Sequence, residues 1–78
     1  MAFQSRLRAR DDKSIMASIK SPMQAVMLNV NNGNHWVVAI RKAIFTNDYW
    51  CVDPWDGQIK LAAKTYRNIV GSAHFCLK

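Results

Sequence analysis

The sequence predicts an α+β domain, an antiparallel sheet of four or five strands with one N-terminal helix and room for a second short helix. Three observations lead there. Apolar residues alternate at Val26, Leu28 and Val30, the period-2 pattern of a half-buried strand, and the apolar run in His35–Lys42 reads as a second strand. Turn residues separate these runs at Asn31-Asn32-Gly33-Asn34, Thr46-Asn47-Asp48 and Asp56-Gly57. One stretch, from Asp11 to Lys20, instead has helix spacing and helix punctuation.

In that first element Asp11 and Asp12 are placed to cap the N-terminus. Ile15, Met16 and Ile19 form the inward stripe, and Ser21-Pro22 ends the helix. Met23 to Val30 is the first strand, with Val26, Leu28 and Val30 on one side and Ala25, Met27 and Asn29 on the other. The Asn-Asn-Gly-Asn turn suits left-handed backbone. His35 to Lys42 is the second strand, Tyr49 to Asp53 the third, ended by Pro54, and Gln58 to Leu61 the fourth. Ala62 to Val70 favours a short helix, and Ser72 to Leu77 a closing strand.

The 78 residues allow one small domain with roughly 4–12 kcal/mol of net stability. Half the residues are hydrophobic and 21% charged, a globular composition. No apolar run reaches membrane-span length, and MAFQSRLRAR lacks the apolar core of a secretory signal. The resulting expectation is a soluble cytoplasmic protein with no membrane contact, and it rests on absences. Cys51 and Cys76 are too few for a disulfide scaffold, and no Cys/His cluster suggests zinc. No metal or organic cofactor is implied.

Lys and Arg number eleven against five Asp, for a net charge of +6. Arg6, Arg8, Arg10, Lys13 and Lys20 lie in the first twenty residues. Residues 1–10 are therefore expected to be a flexible basic arm ahead of a domain over 11–78. Such an arm suits nucleic acid or an acidic partner, or it is a solvated, frayed terminus.

The strand pattern brings two reactive side chains together. If Ala39 lies opposite Tyr49, then Val37 faces Cys51 and His35 faces Asp53. Opposed Cβ atoms are about 4.5–5.5 Å apart, within reach of a His-carboxylate hydrogen bond. The pair would sit at a strand end beside the Asp-Pro-Trp-Asp-Gly loop, with Trp55 and Asn34 as contacts for a bound segment. A carboxylate in that position fixes the imidazole tautomer and stabilises the imidazolium. The plainer reading is a turn-proximal His35 and a loop-capping Asp53. Trp36 and Trp50 fall on the other face and are expected in the core, with Met16, Met23 and Met27 as filler.

The run from Ser18 to Asp53 resembles the second half of a papain-like cysteine peptidase domain, in the branch that trims double-glycine leaders from bacteriocins. SIKSPMQAVMLNV is similar to that family's helix-into-strand segment, with Met23 at the usual Val. GNHWVVAI matches its Gly-x-His-(Trp/Tyr)-Val-Val strand, and YWCVDPWDG its Asp-Pro-x-x-Gly segment. GSAHFCLK stands where the family has a closing strand. The resemblance implies His35 as catalytic base and Asp53 as its orienter.

It also implies a nucleophilic cysteine upstream of the histidine, at a helix N-terminus. This chain has no cysteine before Cys51, and Gln4 has none behind it. Cys51 is expected two residues from Asp53, diagonal to His35, and reads as packing. Cys76 and His74 read as structural.

The expected function is a cysteine-peptidase-like domain lacking its nucleophile, acting as a peptide- or protein-binding module. Absence of the other half would bare an apolar strip, so a homodimer or a partner supplying that half is expected. The first alternative is a cysteine peptidase whose cysteine comes from another chain, a longer parent protein or a second copy. The next is a small basic inhibitor or nucleic-acid-binding protein.

Overall fold

In a computed structural model the structure describes residues 3–77, with side chains for residues 9–76. The α+β class is what the chain adopts. One antiparallel sheet runs in the order β1-β6-β2-β3-β4-β5, where β1 is Phe3–Ala9, β2 Gln24–Val30, β3 His35–Lys42, β4 Tyr49–Val52, β5 Ile59–Leu61 and β6 Gly71–Leu77. Helices α1 (Asp12–Lys20) and α2 (Ala62–Tyr66) complete it.

The flexible basic arm expected over residues 1–10 is corrected by β1. Phe3–Ala9 pairs along its whole length with β6, from Phe3↔Leu77 to Ala9↔Gly71. Backbone pairing with an already formed strand satisfies the segment's polar groups whatever its charge pattern. The side chains of Arg6 and Arg8 lie outside the described residues. Arg10, read as part of the arm, instead pins the fold: its Nε donates to Asp12 and its Nη2 to the Asn47 carbonyl.

Helix α1 starts as its sequence dictates. Asp11 has extended backbone, and its carboxylate accepts from the Lys13 N–H and the Ser14 hydroxyl. Ile15 is fully buried, while Met16 and Ile19 pack on the core margin. Both helices cover the same sheet face. There Ile15 and Ala62 join Val26, Leu28, Val30, Val37, Tyr49, Cys51 and Ile69 in one core. The Tyr49 hydroxyl donates to Asp12 at 2.5 Å, tying α1 to β4.

The β2–β3 hairpin turns where expected, through three consecutive left-handed residues, Asn31, Asn32 and Gly33, at φ 54°, 55° and 91°. The β3–β4 register is corrected by two residues, since Ala39 pairs with Cys51 and Val38 with Val52. The cause is the connection. Ala43 N–H closes on the Asp48 carbonyl, which sets Lys42 opposite Tyr49, and a bulge at Ile40 then absorbs one residue. A shift of two leaves the side chains before the bulge on their expected faces, His35, Val37 and Ala39 with Cys51 and Asp53.

Trp36 and Trp50 do face away from His35 and Asp53, but that face carries no helix. Both are half-buried and outside the core. Met23 is likewise half exposed rather than core filler. The sheet is therefore two-sided: one face packs the helices and the site, the other stays open.

Candidate functional site

His35 opens β3 directly after the left-handed turn, and Asp53 follows the last residue of β4. Although the register is shifted, both point to the helix-bearing face. The imidazole spans the diagonal, with Nε2 2.9 Å from Asp53 Oδ2. A carboxylate only accepts, so Nε2 carries the hydrogen. The lone pair of the neutral ring is then on Nδ1, which meets no hydrogen-bond partner among the described residues.

Asp53 is 4% exposed, and three further contacts hold it. Oδ2 also accepts from the Tyr66 hydroxyl, and Oδ1 accepts the Trp55 backbone N–H at 2.8 Å. Its own backbone is fixed at both ends, accepting from Gly57 N–H and donating to the Gln58 carbonyl. The Tyr66 hydrogen bond, with help from the Trp55 N–H and His35, draws the carboxyl down to about 2. Asp53 is thus an anion at any physiological pH.

Sequence reasoning missed Tyr66 and Lys60. Tyr66 ends α2 and lays its ring 5.0 Å from the His35 ring at 47°. Lys60 Nζ donates to the Tyr66 hydroxyl at 3.1 Å and to Asp56 at 2.6 Å. A continuous chain of hydrogen bonds results, from Asp56 through Lys60, Tyr66 and Asp53 to His35. Its charges reinforce one another. The hydrogen bond to Asp56 raises Lys60, while burial and Asp53 raise the Tyr66 phenol. Only the i,i+4 spacing of Asp56 and Lys60 was visible in sequence, because α2 has to fold back before Tyr66 reaches Asp53.

The two expected contact residues differ in surroundings. Trp55 is 90% exposed, beside Asp53 in its loop. Asn34 is exposed in the turn before His35, where its N–H bonds to the Asn31 carbonyl. Both lie next to one member of the His–Asp pair in the chain.

Cys51 does not approach His35. It pairs with Ala39, four residues along β3, which is about 13 Å at strand rise. The expected diagonal placement is corrected by the register. Its thiol is fully buried, and burial, with the Asp48 and Asp53 charges, pushes it up to about 11. A thiolate is disfavoured there. Cys76 lies on β6 opposite Gln24, away from the site.

A second histidine is built into the packing. His74 Nδ1 is 2.8 Å from the Ser18 hydroxyl, and Nε2 is 2.7 Å from the Ser72 hydroxyl. Ser18 donates to Gln24 Oε1. With its single hydrogen used, Ser18 accepts from Nδ1–H. The cluster satisfies polar groups beneath α1. Among the described residues no three His, Cys, Asp or Glu side chains are grouped to hold a metal, and no helix is long and apolar enough to cross a membrane.

Comparison with protein-family models, with curated proteins and with solved structures found no match in any of the three.

Proposed function

We propose that this chain is a peptide- or protein-binding module with a cysteine-peptidase-like His–Asp pair and no nucleophile of its own. The observation that carries the reading is the setting of that pair. His35 offers Nδ1 with Asp53 held behind it, while the nearest strand thiol, Cys51, is buried and protonated. A 90% exposed tryptophan stands beside them. An imidazole acceptor next to an exposed indole suits an extended peptide, whose N–H groups and apolar side chains need both kinds of contact.

The test is selection from a displayed random-peptide library on the immobilised chain. Enriched peptides should lose at least tenfold in affinity on Trp55→Ala and on His35→Ala. Peptides that bind all three proteins equally, or no enrichment at all, would remove the reading.

One observation favours a second reading, a cysteine peptidase whose thiol comes from a second copy of this chain. Nε2 on the aspartate leaves Nδ1 as the basic nitrogen, the arrangement a Cys/His pair requires. Iodoacetamide alkylation at pH 6, read by intact mass, separates the two. Fast labelling abolished by His35→Ala would mean an activated thiolate and favour the peptidase. Slow labelling, equal in both proteins, would leave the binding module.

A further inference from the structure

Two peptide bonds beside the site, Asn32–Gly33 and Asp56–Gly57, join a short side-chain carbonyl to a glycine nitrogen. With no Cβ on the glycine, that nitrogen can reach the carbonyl carbon and close a five-membered ring. The fold treats the two bonds differently. The Asp56 carboxylate is held at both oxygens, Oδ2 accepting from Lys60 at 2.6 Å and Oδ1 from the Gln58 N–H at 2.9 Å. A carboxylate is a poor electrophile, and the Gly57 N–H is committed to the Asp53 carbonyl at 2.7 Å.

Asn32 is under no such hold. It is exposed, and its side-chain amide has no hydrogen-bond partner among the described residues. The space beside Gly33 is open, the nearest atom to an added Cβ being Asn29 Nδ2 at 3.8 Å. Gly33 N–H does bond the Val30 carbonyl, at 3.1 Å. That bond closes a turn in which Asn31 and Asn32 are both left-handed, at φ 54° and 55°, a form that L residues hold at a cost. Such a turn opens more readily than the strands it joins, and each opening frees the nitrogen. The other five asparagines precede Val30, Asn32, His35, Asp48 or Ile69, whose side chains crowd the nitrogen that would attack.

We propose that Asn32 is a site of spontaneous covalent modification, deamidating through a succinimide with Gly33, and that the change displaces His35 from Asp53. The Gly33 nitrogen gives up its proton and attacks Asn32 Cγ. The N–Cγ bond forms, the Cγ–Nδ2 bond breaks, and ammonia leaves. Water then opens the ring. Cleavage at Cγ restores the main chain with an aspartyl residue, and cleavage at the backbone carbonyl leaves the chain running through Cγ, an isoaspartyl link. Water is consumed and ammonia released, with no change of oxidation state.

The link to His35 runs through Asn29. Its amide nitrogen faces the carbonyls of Gly33 and His35 and donates to each at 3.1 Å. An isoaspartyl link adds one carbon to the main chain of the turn and draws the Gly33 carbonyl off this contact. Either product also sets a new carboxylate three residues before the imidazole. The turn would change whether or not a peptide binds, so this proposal and the binding module fail separately.

The test is incubation of the full chain at about pH 8 and 37 °C, followed by intact mass and by peptide mapping that separates aspartyl from isoaspartyl forms. Asn32 should gain about one dalton, at least tenfold faster than any other asparagine, and more slowly at pH 6. Asn32→Gly keeps a residue suited to left-handed backbone and should show no gain in this turn. In the separated isoaspartyl species the His35 imidazole resonances should move while those of His74 stay. An Asn32 unchanged after about four weeks, another asparagine reacting as fast, a gain that persists in Asn32→Gly, or unmoved His35 resonances would each overturn the proposal.

Discussion

His35 Nε2 lies 2.9 Å from Asp53 Oδ2 although the two residues are not opposite each other in the sheet. A register slip of two conserves the face, and a long aromatic side chain spans the diagonal that results. The carboxylate is held below by Tyr66 and from its own loop by the Trp55 N–H. The imidazole is therefore oriented by tertiary structure, and four predictions test how this and the surrounding fold are held.

Acid should destabilise the chain through Asp53. Its folded value, about 2, lies below the ordinary 3.8, so the folded state binds the proton less readily than the unfolded one. That contribution is complete above about pH 4 and lost as pH falls toward 2. Asp12 and Asp56 shift the same way. Thermal melts between pH 5 and 2 should show a falling Tm, with a shallower slope in Asp53→Asn. An unchanged slope would show that Asp53 does not carry the acid limb.

Tyr66→Phe removes the first hydrogen bond on Asp53 while keeping the ring against His35. The carboxyl should rise toward its ordinary value, read by carbon-13 chemical shift across an acid titration. The Lys60–Asp56 contact should survive, since it does not pass through the phenol. An Asp53 titration identical to wild type would assign the hold to the Trp55 N–H and His35.

Asp48 should matter more than a loop aspartate ordinarily does. Its Oδ1 accepts the N–H groups of Tyr49 and Ala63, and Oδ2 that of Lys64. It thus caps α2 from across the chain, where Leu61 at the helix start has no side-chain cap. Asp48→Ala leaves the buried Tyr49 N–H and the part-buried N–H groups of Ala63 and Lys64 without their acceptor and should cost on the order of 1–3 kcal/mol in urea unfolding. Asp48→Asn should recover part of this. A loss of less than about 0.5 kcal/mol for the alanine would show α2 to be held by packing.

Cys51 should resist alkylation in the folded chain. Its thiol is raised to about 11 and fully buried. Because the folded state holds that proton more tightly, stability should decline as pH rises from about 9 toward 11. At pH 8, iodoacetamide should label Cys76 first and Cys51 only at the rate of unfolding, mapped by mass spectrometry after digestion. Simultaneous labelling would place Cys51 nearer solvent than the core packing allows.

Elements governed by local chemistry were legible in the sequence. Asp11 caps α1 through its own side chain, and Ser21-Pro22 stops it, within a few residues. The Asn31–Gly33 turn needs left-handed backbone that those residue types supply. Alternation put Val26, Leu28 and Val30 inside and kept His35, Cys51 and Asp53 on one face. Parity survives an even register shift, so the His–Asp pair was visible even though its pairing partners were not.

What depended on distant parts of the chain was decided only by tertiary structure. Nothing local in Phe3–Ala9 distinguishes an arm from a strand, because the difference is the presence of β6 beside it. Trp36 and Trp50 read as core because they fall on the face opposite His35 and Asp53, yet both helices lie on the His35 and Asp53 side. Tyr66 reaches Asp53, and Asp48 reaches α2, only once the chain has folded back. The sequence by itself determined the class, the turns and the side of the sheet each residue takes, since propensity and period act over a few residues. Register, layer order, the hydrogen-bond chain behind His35 and the open apolar face are sums over contacts far apart in sequence, and only the folded chain sets them.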